Sequence, residues 1–158
     1  MFKRLHMYIV DELMFLPILL VNWSLWSVSG YHKVRQIVTK KAWVAPDGWI
    51  PWLQMHFKGS FLDNFAEPLF FMLTLLEVLA GVFLTIAIIR VEFFHNRNKD
   101  FFKLGLFFGA LSIASMSYGQ NLVNADDDVF QLSSYLTTTM LSYLFILLYP
   151  KIISHKTK

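Results

Sequence analysis

The sequence predicts an all-α, polytopic membrane protein: a four-transmembrane-helix bundle with an aromatic extracytoplasmic loop between helices one and two. Three observations carry this. Of 158 residues, 56% are hydrophobic and only 16% charged, more apolar surface than a soluble domain of this size can bury. The charges crowd near the N-terminus, in residues 31–67, in 90–103 and at the C-terminus, leaving long uncharged runs between them. Four of these runs approach the roughly 20 residues that a helix needs to cross a hydrocarbon core about 30 Å thick.

The first span covers about 13–31, "LMFLPILLVNWSLWSVSGY". Lys3 and Arg4 precede it as in a signal peptide. Asp11, Glu12, the length of the run and the bulky aromatics at its end favour an uncleaved helix. The second span, about 68–89, opens on Pro68, a residue suited to a helix's first turn. The third runs over about 101–121, and the fourth over about 129–149, where Pro150 should stop it. Between them lie a loop at 90–100, an acidic loop at 122–128 and a tail at 150–158. The whole chain reads as a single membrane domain without internal repeat or low-complexity tract.

Orientation follows from lysine and arginine placement. Nine of these residues fall at the N-terminus, in the 90–103 region and in the tail, against five in the first loop (Lys33, Arg35, Lys40, Lys41, Lys58) and none in the third. Both termini are therefore expected to be cytoplasmic, in a bacterial inner membrane. The basic residues flank apolar spans rather than forming one stripe, which argues against a nucleic-acid partner. The first loop, 32–67, contains Trp43, Trp49, Trp52, Phe57, Phe61 and Phe65. Indole rings favour the membrane interface, where the ring is buried and the N–H stays wet. A turn at Pro46–Gly48 and a short interfacial helix from about Pro51 are expected, either packing on the bundle itself or serving as a partner surface.

One residue stands out in "FFMLTLLEVLAGVFLTIAII": Glu77 lies nine residues after Pro68, near the bilayer centre at about 1.5 Å of rise per residue. Asn22, Ser112, Ser115 and Thr137–Thr139 fall at similar depth, so every span offers a polar group to one layer. No Lys, Arg or His shares that depth by this count. The carboxyl is then expected to carry its proton and donate to a neighbour such as Asn22. Two roles stay open to it: proton relay or polar head-group binding, and hydrogen-bonding glue between helices.

Gly105 and Gly109 form a GxxxG motif continued by Ser112, a spacing that lets helices approach closely, more readily within the bundle than between copies. The five histidines all lie toward span ends or loops, so no pair faces across the interior as bis-histidine haem ligation needs. His32 and His56 match no metal-site spacing, and no metal site is expected. With no cysteine, thiolate metal and disulfide chemistry are excluded on this chain. No nucleophile elbow or phosphate loop occurs, and no catalytic residue can be assigned.

In order, "SGYHKV" at the exit of the first span, the aromatic loop, "EVLAGVFL" with glutamate and glycine four apart, and two further spans resemble the DoxX/DoxD-like family of small four-helix bacterial membrane proteins. The match carries over to Gly30, Lys33, Glu77 and Gly81. It implies a subunit of a thiosulfate:quinone-type oxidoreductase or an accessory protein of a membrane complex. Asp11, Glu12 and the long tryptophan-rich loop depart from the family pattern.

The leading expectation is thus a non-catalytic accessory or structural subunit, in contact with membrane lipid and with other membrane protein subunits. An alternative is a quinone-proximal subunit in which Glu77 is head-group or proton ligand and Trp23, Trp26 and Tyr118 line an apolar slot. A small transporter or channel subunit ranks third, since one midplane acid and four spans without inverted repeats fit it poorly. No covalent cofactor is expected; quinone or lipid is the expected non-covalent ligand.

Overall fold

The computed structural model describes residues 13, 15–44, 48–94, 97–122 and 126–156. Among them the chain is all-helical, with five α-helices and no strand: α1 (Leu16–Val38), α2 (Trp49–Phe57), α3 (Ala66–Ile89), α4 (Asp100–Leu122) and α5 (Asp126–Lys156). Two segments, Asp63–Ile89 and Asp100–Gly119, are long and apolar enough to cross a membrane.

The expected and observed ends of α3 and α4 differ by at most two residues, because charged residues flank both ends of α3 and the start of α4. Helices α1 and α5 differ more. Helix α1 continues past Tyr31 to Val38. Nothing in "HKVRQIV" breaks a helix, and the backbone ladder does not require apolar side chains. Helix α2 begins at Trp49, two residues before Pro51, which places the proline in the first turn, where its missing N–H removes no ladder bond. Residues 46 and 47 of the expected turn lie outside the described residues. Helix α5 runs through Pro150 to Lys156 instead of stopping. Residues 126–128, expected in a loop, belong to α5.

Helix α1 packs on α3, α3 on α4, and α4 on α5, while α2 lies on α3. One core joins Phe15, Leu19, Trp26, Leu84, Phe102, Leu106, Ile113 and Ile146. A second, near the Lys33 end, joins Ala42, Ile50, Leu53, Phe57, Ala66 and Phe70. Much apolar surface stays uncovered on all four long helices, including Val21, Leu75, Phe107 and Leu141.

The turn joining α3 to α4 is tied internally. Val91 adopts φ 58° and the Glu92 N–H reaches back to the Ala87 carbonyl, closing α3 by a Schellman-type wrap. The Glu92 carboxylate is buried and accepts the Phe102 N–H at 2.9 Å, capping the start of α4. Lys99, also buried, donates to the carbonyls of Phe94 and Arg97 and lies 4.5 Å from the Phe15 ring centroid. Burial pushes the Glu92 carboxyl above its ordinary value, against the Phe102 N–H and Arg90, which pull it down. Burial likewise lowers Lys99, against the nearby Glu92. With a raised folded-state value, the fold holds the Glu92 proton longer than the unfolded chain does. Its contribution is therefore largest near and below the ordinary value of 4.5 and is lost as pH rises through the folded-state value. Thermal melts across pH 4.5–7 should show a fall in wild-type stability with rising pH that is reduced in Glu92→Gln, whose amide oxygen can still accept the cap. An unchanged pH slope in the variant would remove Glu92 as its source.

Candidate functional site

The layer of polar groups expected around Glu77 resolves into two separate clusters. The first forms where α1 crosses α3. Small residues bring the two backbones together from both sides: a Cβ on Gly30 would stand 3.3 Å from the Val78 backbone nitrogen, and one on Gly81 would stand 3.3 Å from Cα of Ser27. At this close crossing Glu77, 1% exposed, takes three contacts. Ser29 Oγ donates to Oε2 at 2.7 Å, Ser112 Oγ of α4 donates to Oε1 at 3.5 Å, and Lys33 Nζ donates to Oε1 as an ion pair.

Lys33 overturns the expectation of a carboxyl without a cation. Ending the first span at Tyr31 had put this lysine in a loop. In the continued helix it stands one turn beyond Ser29, on the buried stripe Leu19, Asn22, Trp26, Gly30, Lys33. Its ammonium lies 5.0 Å from the Trp49 ring centroid, so α2 roofs the ion pair with an aromatic face. Gly30, Lys33, Glu77 and Gly81 therefore all lie along the α1–α3 crossing.

Asn22 belongs to the second cluster and does not bond Glu77. Its amide nitrogen donates to the Ile18 carbonyl at 2.9 Å and to Ser142 Oγ at 3.3 Å, and its oxygen accepts from Thr139 Oγ1 at 3.5 Å. These bonds tie α1 to α5. Ser142 and Thr139 are the buried α5 partners, whereas Thr138 is exposed and donates to its own helix, at Ser134 O. Ser115 likewise bonds its own helix, at Leu111 O. Thr139 follows its neighbours by one helical step, so the triple-threonine run could not by itself single it out.

Gly105 and Gly109 pack inside the bundle: a Cβ on Gly105 would meet Leu84 of α3, and one on Gly109 would meet the Trp26 indole of α1. The expected slot of Trp23, Trp26 and Tyr118 does not form. Trp23 donates to Thr85 Oγ1 at 2.9 Å, Trp26 is buried against Gly109, and Tyr118 is exposed. In the aromatic loop, Trp43 is exposed and donates to Glu67 at 3.1 Å, Trp52 packs against Trp49 and His56, and Phe57, the last residue of α2, is buried. No cluster of three or more metal-ligating side chains occurs among the described residues.

Beyond Asn22, α1 and α5 separate and leave an open cleft of about 650 Å³, walled by Val21, Leu25 and Val28 on α1 and by Tyr135 on α5. Ser24, Ser29 and Thr138 also line it. Through Ser29 it comes within one hydroxyl of the Glu77 carboxylate.

No protein-family model, curated protein or solved structure matches this chain.

Proposed function

We propose that this chain is a four-span, DoxX/DoxD-like protein of a bacterial inner membrane, with both termini cytoplasmic, acting as an accessory or structural subunit of a larger membrane complex. The engagement of Glu77 carries this reading. Its oxygens take Lys33, Ser29 and Ser112, contacts from two other helices, and a carboxylate committed in this way clamps a bundle. A buried ion pair satisfied by further hydrogen bonds holds one arrangement of helices against alternatives. The uncovered apolar surface on the long helices supplies area for lipid and for neighbouring subunits.

Purification of the native protein in mild detergent, followed by mass spectrometry of copurifying proteins and lipids, tests the proposal. Stoichiometric membrane partners are the expected result. A solitary, monodisperse protein with an activity of its own would sink it.

A second reading, a quinone-proximal subunit of a membrane oxidoreductase, is favoured by one observation: the cleft open between α1 and α5 reaches Ser29, which bonds Glu77. Here a quinone retained in lipid extracts of the pure protein, and lost with Glu77→Gln, is the expected result. Extracts free of quinone would reject it.

A further inference from the structure

The cleft between α1 and α5 has a chemical polarity that its volume alone does not reveal. A serine or threonine hydroxyl carries one hydrogen and two lone pairs, so where the hydrogen goes decides what the group can still do. Ser24 Oγ donates to the Val21 carbonyl at 2.9 Å, Thr138 Oγ1 donates to the Ser134 carbonyl at 2.9 Å, and Ser29 Oγ donates to Glu77 at 2.7 Å. Asn22 spends both amide hydrogens, on Ile18 O and Ser142 Oγ. Tyr135, which also lines the cleft, makes an interaction of its own. The hydroxyls of Ser24, Ser29 and Thr138 thus present lone pairs to the cleft, while the buried Asn22 amide is satisfied within the fold.

Among the described residues no Lys, Arg, Asp, Glu or His lines the cleft, and the walls they form are otherwise apolar. A volume of about 650 Å³ is that of a small-molecule site. An occupant that brings only acceptors, such as an ester carbonyl, an oxidised quinone or a phosphate, would set lone pair against lone pair. A phosphate would also find no cation among the described lining residues. The complementary occupant is uncharged, has an apolar body and ends in a group that donates.

We propose that this cleft binds a neutral, hydroxyl-bearing lipid, its O–H donated to the oxygens of Ser24, Ser29 or Thr138 and its apolar portion lying along Val21, Leu25 and Val28. This rests on the membrane reading given above, and it deepens the second reading by selecting a donor head over a carbonyl one. Two sources share the chemistry: a diacylglycerol-type alcohol and the reduced, phenolic form of a quinone.

The test uses the full chain in phosphatidylcholine nanodiscs, with competition binding read by native mass spectrometry. The probes are 1,2-dioleoylglycerol, its 3-O-methyl ether, dioleoylphosphatidylglycerol, decylubiquinol and decylubiquinone. A donor probe should be retained over its donor-free counterpart by about three- to tenfold, as one added hydrogen bond predicts. Preference for dioleoylglycerol over its ether identifies the alcohol as source, and preference for quinol over quinone alone identifies the phenol. Ser24→Ala with Thr138→Val, which removes two acceptors at exposed positions, should reduce that preference at unchanged thermal stability. Equal retention of each pair, or preference for the quinone or the phosphatidylglycerol, overturns the proposal. A chain that stays out of the discs overturns the membrane reading and this site together, an outcome distinct from incorporation without selectivity.

Discussion

Lys33→Met should be among the most damaging single substitutions in this chain, lowering stability by about 3–5 kcal/mol, because it strands the Glu77 carboxylate where water cannot reach it. In a detergent melt that corresponds to a fall on the order of 10 °C. The side chains of Lys33 and Glu77 are only 4% and 1% exposed. Two terms oppose each other in such a pair: desolvation of both ions, and their mutual attraction with the added bonds from Ser29 and Ser112. Removing one ion abolishes the attraction and leaves the desolvation of the other. Removing both abolishes each term. The double variant Lys33→Met/Glu77→Gln should therefore recover more than half of the loss, since the glutamine oxygen can still accept from Ser29. A double-mutant cycle in the same detergent measures the coupling. If the double variant is as unstable as the sum of the singles, the pair does not act as a unit, and the clamp assigned to Glu77 fails with it.

That pair also shows where the sequence was legible and where it was misread. Hydropathy places α3 and α4 within two residues because charged residues flank both ends of α3 and the start of α4. It misplaces the end of α1 because hydropathy reports transfer to apolar surroundings, whereas a helix persists wherever its backbone ladder does. The information needed was present: Leu19, Asn22, Trp26, Gly30 and Lys33 follow each other at steps of three and four, so the lysine continues the stripe on which Asn22 and Trp26 lie. Charge suggested a loop, and periodicity placed the residue in the core.

Other parts were beyond the sequence for different reasons. Depth counting brought Asn22, Ser112, Ser115 and the threonines to one level, but a level is a ring around the bundle and does not specify azimuth. Only the packing order, α1 on α3 on α4 on α5, assigns Ser112 to Glu77 and sends Asn22 to Ser142 and Thr139. The acceptor character of the cleft depends in turn on which carbonyl or carboxylate each hydroxyl bonds, which no spacing rule supplies. Where Glu77 lies was legible from its apolar surroundings, while its serine partners were not.

Gly109→Ala should destabilise by about 1–3 kcal/mol, against the usual gain of up to about 1 kcal/mol for replacing glycine by alanine within a helix. A Cβ at this position would stand 2.5 Å from Cε2 and Nε1 of Trp26 and 2.8 Å from Cζ2. These atoms belong to a rigid bicyclic ring that is 3% exposed, so the indole cannot yield by a small torsion. Helix α4 must move outward instead, and Ser112, one turn farther along the same face, would be drawn from Glu77. Two controls isolate the cause. Gly119→Ala lies in the same helix with its nearest neighbour, Phe57 Cζ, at 3.4 Å, an ordinary contact, and should be neutral or stabilising. Trp26→Leu removes the ring, so Gly109→Ala should cost little more when added to it, and the two losses should combine to less than their sum. Melting temperatures of the four variants in one detergent decide the matter. Strict additivity of Trp26→Leu and Gly109→Ala would show that the glycine is not there to admit the indole, and that the GxxxG face serves something other than packing within this bundle.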